Sequence, residues 1–290
     1  MILVTGATGN AGSQVVRALA ERGEAVRCFA RDSEKARRLL GDAVELAVGD
    51  FADEDSFYGA LEGVDRLVLS CADDPRRVEW ETAAIDAAAA AGVRRIVRLS
   101  TIGAEPGAAV AFWDWHGQID RHLRSCGVAW VVLQSSFYMT NLLAAAEQVA
   151  HEGRVFAPAG TARVAMIDPR DVGAAAASVL VDGRHDGEAL VLTGPEAITY
   201  QQAAAALSDA AGRPVEFVDV PADAARHALV ESGLPEFVAE QIVAIFGELR
   251  NGVASEVTTA VDALTGRPPR SFTQFARDHA RVFAAAPVEA

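Results

Sequence analysis

Lysine is almost missing from this chain: Lys35 stands alone against 25 arginines. Chemistry that needs an ammonium group therefore has a single candidate. Cysteine is scarce too. Cys28, Cys71 and Cys126 are far apart, odd in number and outside any CxxC pattern, which argues against a disulfide framework and reads as small buried hydrophobes in a reducing compartment. No apolar run approaches the roughly 20 residues of a membrane span. The N-terminus opens on an apolar strand with no basic segment before it, so no signal peptide is expected. Basic residues are outnumbered 26 to 40, and a net charge of −14 repels phosphate backbones, which argues against nucleic-acid and polybasic membrane partners. GxSxG, HExxH and clustered Cys/His metal sets are all missing, so no metal is expected. His122, His151, His185, His227 and His279 are scattered and read as surface residues. What remains is a cytoplasmic globular protein, monomer or homodimer, whose partner is a small molecule.

The 290 residues, 51% hydrophobic and 23% charged, suffice for two domains or one large α/β unit. Short apolar runs alternate with helical patterns over the first 135 residues. Strands are expected at 2–5, 25–30, 44–48, 65–69, 94–99 and 128–133. Helices are expected at 11–22, from Ser33, and at 53–61, 75–91 and 111–126. This alternation predicts an α/β fold with a doubly wound parallel sheet, helices on both faces and right-handed crossovers. After Gln134 the pattern loosens, with helices expected at 139–150, 169–181, 199–211, 221–231, 235–249 and 271–283 and strands at 162–167, 189–193 and 215–219. The expected division is a domain over 1–150 and a smaller, mostly helical substrate lobe over 151–290 that returns strands to the main sheet, with a frayed tail from Ala284.

The first strand runs into Thr5-Gly6-Ala7-Thr8-Gly9-Asn10-Ala11-Gly12 and then a helix. In this G-x-x-G-x-x-G spacing Gly6 permits the tight turn, Gly9 lets the backbone approach a pyrophosphate, and Gly12 lets the helix pack closely on the sheet. Free N–H groups at the helix start then face phosphates. The strand-turn-helix context predicts a dinucleotide site. At the end of the second strand a carboxylate would bond the ribose 2′-OH of NAD, and an Arg would take the 2′-phosphate of NADP. Arg31 precedes Asp32, with Lys35 one turn on. The guanidinium fork favours NADP, with NAD as the alternative, and Asp32 either reads the ribose or caps the next helix. Asp50 and Phe51 are expected beside the adenine, or Phe51 in the core. Ser70, Cys71, Ala72, Ser100 and Thr101 are expected to flank the ribose and nicotinamide, because ligands sit at the C-terminal ends of parallel strands.

These segments carry a resemblance. ILVTGATGNAG, CFARDSEKA, GDFADEDSF, RRIVRLSTIGA, HGQIDRHLRSCGVAWVVLQSSFYMTN, MIDPRDVG and LTGPEAITYQQAAAALSDAAGRPVEFVDVP together resemble the NmrA-like family of atypical short-chain dehydrogenase/reductases, over roughly residues 1–220. The resemblance implies a Rossmann domain with a small C-terminal substrate lobe. It implies functions that range from NAD(P)H-dependent quinone reductases and aromatic polyketide tailoring enzymes to redox sensors without turnover. Short-chain reductases usually pair a Tyr acid with a Lys four residues on. Here Tyr58, Tyr138 and Tyr200 are followed at that spacing by Glu62, Leu142 and Ala204, so that relay is ruled out. The family's usual Arg-Pro after the sixth strand is Gln134-Ser135 here, which removes a positive charge near the pocket.

His116 and Asp120 stand one helical turn apart. Asp120 either orients the imidazole and raises its pKa, making His116 a proton donor near neutral pH, or is solvated or paired with Arg124 while His116 merely packs. Trp113, Trp115, Gln134, Phe137 and Tyr138 are the substrate-side candidates, the aromatics serving either as stacking surfaces or as core. The leading expectation is an NAD(P)H-dependent oxidoreductase acting on a planar aromatic or quinone substrate by reduction or oxygenation, such as an aromatic polyketide tailoring step. A non-catalytic NAD(P) sensor that binds a partner protein is the alternative; an epimerase or dehydratase has no supporting feature.

Overall fold

A computed structural model describes residues 1–41 and 44–284. The tail past Ala284, expected to fray, lies outside the described residues. The chain builds β1 (Ile2–Val4), α1 (Asn10–Glu21), β2 (Val26–Ala30), α2 (Ser33–Leu40), β3 (Glu45–Val48), α3 (Glu54–Ala60), β4 (Arg66–Leu69), α4 (Arg77–Ala90), β5 (Arg95–Thr101), α5 (Ala111–Ser125) and β6 (Ala129–Ser135). A 3-10 turn over Met139–Ala145 leads into α6 (Ala146–Glu152), followed by β7 (Arg154–Ala157), α7 (Pro169–Asp182), β8 (Glu188–Leu192), α8 (Tyr200–Ala211) and β9 (Glu216–Asp219). Helices α9 (Ala222–Glu231), α10 (Glu236–Arg250), α11 (Ala260–Thr265), α12 (Phe272–Asp278) and α13 (Ala280–Phe283) complete it.

The main sheet is parallel throughout, in the order β3-β2-β1-β4-β5-β6-β8. The chain steps outward from β1 to β3, then crosses back to β4 and proceeds the other way. That reversal opens a crevice beyond the C-terminal ends of β1 and β4. The central strands β1 and β4 are buried on both faces, which is why they read as continuous apolar runs. One face carries α1 and α7, with Val15, Val16, Leu19, Ala176 and Val179 in its core. The other carries α3, α4 and α5, with Phe57, Ile85, Ile119 and Leu123. A third core, including Met139, Tyr200, Leu207, Phe272 and Phe275, lies among the later elements. Asp168 caps α7 by accepting the Arg170 N–H at 2.8 Å, and Asp171 accepts the Arg270 N–H at 2.7 Å, which ties the C-terminal segment back to α7. No helix among the described residues is long and apolar enough to cross a membrane.

Several later elements depart from the sequence-based expectation. Residues 162–167, buried except for Arg163, form no strand: Val164 donates to Ile198, Ala165 to Ala254 and Ile167 to Phe137, three separate segments rather than one ladder. The expected strand at 189–193 joins the main sheet as β8, whereas 215–219 pairs as β9 with β7, a four-residue strand the sequence reading missed, in a separate parallel pair. The expected helix 139–150 begins as the 3-10 turn. The helix expected over 271–283 breaks at His279, whose half-buried ring packs on Phe275 with centroids 4.2 Å apart.

Candidate active site

A cleft of about 620 Å³ opens at the reversal point. One end is made by the glycine turn. Gly6 adopts φ +59°, and a Cβ on Gly12 would sit 2.2 Å from the Gly6 carbonyl oxygen, so only glycine lets α1 start this close to the turn. Gly9 caps α1 without a side-chain bond, and the first helical bond runs from the Ser13 N–H to the Gly9 carbonyl at 3.1 Å. The N–H groups of Asn10, Ala11 and Gly12 are left to face the cleft, which Gly6, Thr8 and Gly9 also line. Together with the positive end of the helix dipole they form an anion cradle.

Arg31 and Lys35 line the adjoining wall. Arg31 is largely exposed and lies 3.7 Å from Asp50, also a lining residue. Asp32 is not there: its carboxylate caps α2, accepting the Lys35 N–H at 2.9 Å. Phe51 lines the cleft while its ring also packs against Phe29 and Phe57, at 5.6 and 5.5 Å between centroids. Ser70, Cys71, Ala72, Ser100 and Thr101 follow along the strand ends as expected from the topology. Burial, and then the Glu81 carboxylate, push the Cys71 thiol up to about 12, so it carries no thiolate at neutral pH.

The far end is framed by Trp113, His116, Phe137 and Tyr138, joined by Phe112, Asn141, Ile245 and Leu249. Two of the substrate-side candidates, Trp115 and Gln134, stand apart from the lining, as Asp120 does. Trp115 stacks outside on Phe237, 5.9 Å between centroids, as part of a shelf with Phe112. Gln134 gives way to its neighbours Ser135 and Ser136, which both line the cleft. Their hydroxyls are buried without a hydrogen-bond partner among the described residues. Burial raises the Tyr138 phenol above its ordinary range.

Beneath this end runs a line of buried charges that the sequence reading did not find. Arg98 on β5 and Glu81 on α4 have no exposed surface. Arg98 donates Nε to Glu81 at 3.0 Å and Nη1 to Asp120, whose other oxygen accepts the Ser100 hydroxyl at 2.7 Å. Glu81 also accepts Arg77 Nε at 2.6 Å, and Arg77 reaches Asp73 at 2.6 Å. Burial pushes the Glu81 carboxyl up, but Arg98 and Arg77 outweigh it and hold it below the usual range. The expected His116–Asp120 pair does not form, because the buried guanidinium of Arg98 claims the Asp120 carboxylate. Asp120 is neither solvated nor bonded to Arg124. Burial, then Arg77 and Arg98, drive the His116 imidazole well below its ordinary range, so it is neutral rather than cationic near pH 7.

The missed lining residues had weak signals. Ile245 and Leu249 are four apart on an apolar helix face that sequence alone reads as core. Phe112 opens the FWDW run, and Arg77 with Glu81 is an i,i+4 pair of the kind usually found in solvent. Among the described residues, no group of three His, Cys, Asp or Glu side chains is placed to hold a metal.

The comparisons with known proteins agree with this architecture. The chain is 37% identical over 286 residues to the NAD(P)H azoreductase of Xenophilus azovorans, covering 99% of this chain and 100% of that one. It is 39% identical over 285 residues to the (4-alkanoyl-5-oxo-2,5-dihydrofuran-3-yl)methyl phosphate reductase of Streptomyces griseus, covering 98% and 99%. The NADPH complex of the quinone oxidoreductase of Escherichia coli superposes with a TM-score of 0.86 at 28% identity, covering 96% and 99%. Residues 1–271 match the NmrA-like family. With its parallel sheet, glycine turn and crevice all in place, the chain belongs to the NmrA-like family.

Proposed function

We propose that this protein is an NAD(P)H-dependent oxidoreductase that reduces a flat, conjugated acceptor of the quinone or azo type, with NADPH as the preferred donor. One observation carries the reading: a single cleft joins an uncapped helix start and two basic side chains at one end to an aromatic wall at the other. The residues fit the cofactor. The free N–H groups of Asn10, Ala11 and Gly12 would hold the pyrophosphate, and Arg31 with Lys35 the 2′-phosphate, while Asp32 spends one carboxylate oxygen on its helix cap. Asp50 and Phe51 would flank the adenine, and Ser70, Cys71, Ala72, Ser100 and Thr101 the ribose and nicotinamide.

When bound, the reduced nicotinamide supplies a hydride. The chain contributes alignment: Trp113, Phe137 and Tyr138 offer flat surfaces that hold an aromatic acceptor over the ring, and the apolar side chains of Ile245 and Leu249 exclude water. Quinone-like acceptors depend little on a strong acid, which suits a site with a neutral imidazole and no Tyr-Lys pair. A cofactor sensor has no use for the aromatic wall, and the full-length relatives named as reductases support turnover.

The test is absorbance at 340 nm with NADPH or NADH and a panel of quinones and azo dyes. We expect acceptor-dependent oxidation that favours NADPH, with kcat/KM for NADPH falling about 10- to 100-fold in Arg31→Ala, the loss of one charge-assisted contact. The absence of acceptor-dependent oxidation with either nucleotide would overturn the reading.

A further inference from the structure

His116 offers a proton position that can be read from its neighbours. Its Nδ1 lies 3.2 Å from Nη2 of Arg98. A guanidinium has donors only, so Nδ1 must accept, and the single proton of the neutral ring sits on Nε2. Arg98 is not free to turn away. Glu81 and Asp120 hold its other nitrogens, and Nη1 also lies 3.4 Å from the His116 carbonyl oxygen. The charged groups linked to the ring are Arg98, whose other nitrogens are held by Glu81 and Asp120, and Arg77, which is bonded in turn to Glu81 and Asp73. Both guanidiniums disfavour a positive charge on the buried imidazole. His116 is 8% exposed and lines the cleft. With Nδ1 engaged by Arg98, Nε2 is the ring nitrogen left without a partner among the described residues.

We propose that His116 is a permanently neutral hydrogen-bond donor whose Nε2–H holds the substrate atom on which the electron pair lands, and that Arg98 is the positioning residue that fixes this tautomer. The proposal rests on the oxidoreductase reading above and narrows the substrate class. Hydride from the reduced nicotinamide adds to one end of an N=N bond or of a carbonyl-conjugated π system. The π bond breaks, and its electron pair settles on the nitrogen or oxygen at the other end. That atom takes the Nε2–H bond as its charge builds and then a proton from water, so the imidazole finishes as it began. Neutral acceptors that pass through an anion gain from this donor. A triarylmethyl cation takes hydride at carbon, loses its charge and leaves no anionic atom for the donor to hold.

Two readouts test this. Nitrogen-15 spectra of histidine-labelled wild-type protein should show His116 unprotonated at Nδ1 and protonated at Nε2, without change between about pH 5 and pH 8. A proton on Nδ1, or a titration within that range, would overturn it. In parallel, kcat is measured with a quinone and with a triarylmethyl cation dye for wild type, His116→Ala and His116→Gln. The quinone-to-cation ratio should fall about 10- to 100-fold in His116→Ala, as for a lost bond to a charged group, and recover in part in His116→Gln, which keeps an N–H donor. An active wild type whose ratio is unmoved in His116→Ala would overturn the inference while leaving the oxidoreductase reading intact. A wild type that oxidises no NADPH would overturn both.

Discussion

On the floor of the cleft, Arg98 and Glu81 are fully enclosed and every charge meets a partner; across from them, α9 buries no residue and α10 buries only Ala239 and Leu249. The floor belongs to the parallel sheet and its flanking helices. Among the described residues, the α9–α10 arm meets the floor side through a hydrogen bond from the Ala111 N–H to Gln241 at 2.7 Å, through the Phe112, Trp115 and Phe237 shelf, and through Phe246 on Phe137, with Leu249 buried nearby. A buried ion-pair chain tolerates little change, because removing one member strands the others in a low dielectric. A half-exposed aromatic shelf, with Phe237 open to solvent, carries no such penalty.

The comparison can be broken first at the floor. Glu81→Ala leaves two buried guanidiniums facing each other and should cost about 3–5 kcal/mol of stability, read from urea unfolding. A loss under about 1 kcal/mol would mean that the charge chain does not hold the floor together. Gly12→Ala comes next. Its Cβ meets backbone, which no side-chain movement relieves, so about 1–3 kcal/mol of strain is expected, along with weaker dinucleotide binding by calorimetry. Wild-type affinity in that variant would show that the helix start is not the phosphate cradle.

The dinucleotide half was legible in the sequence because its signals are local. A strand, three glycines and a helix fall within the first 21 residues, and Arg31, Asp50, Ser70 and Ser100 follow at strand ends whose order the β-α alternation dictates. Asp32 caps α2 through one carboxylate oxygen. The other half is assembled from segments far apart in the chain, and pattern alone does not bring α10 over β6. The His116–Asp120 pairing was plausible from the helical period, yet Arg98, buried in the middle of a strand, took the carboxylate. An arginine between Val97 and Leu99 gives no sign in the sequence that it points at a histidine 18 residues away. Likewise, residues 162–167 have the composition of a strand but spend their N–H groups on three different partners.

The most direct test of this division is calorimetric titration of NADP⁺ into wild type, Arg31→Ala and Phe237→Ala. Arg31→Ala should weaken binding by about 10-fold or more, whereas Phe237→Ala, altered only on the outer shelf, should bind like wild type. Equal losses in both variants, or no binding to the wild type, would contradict that division.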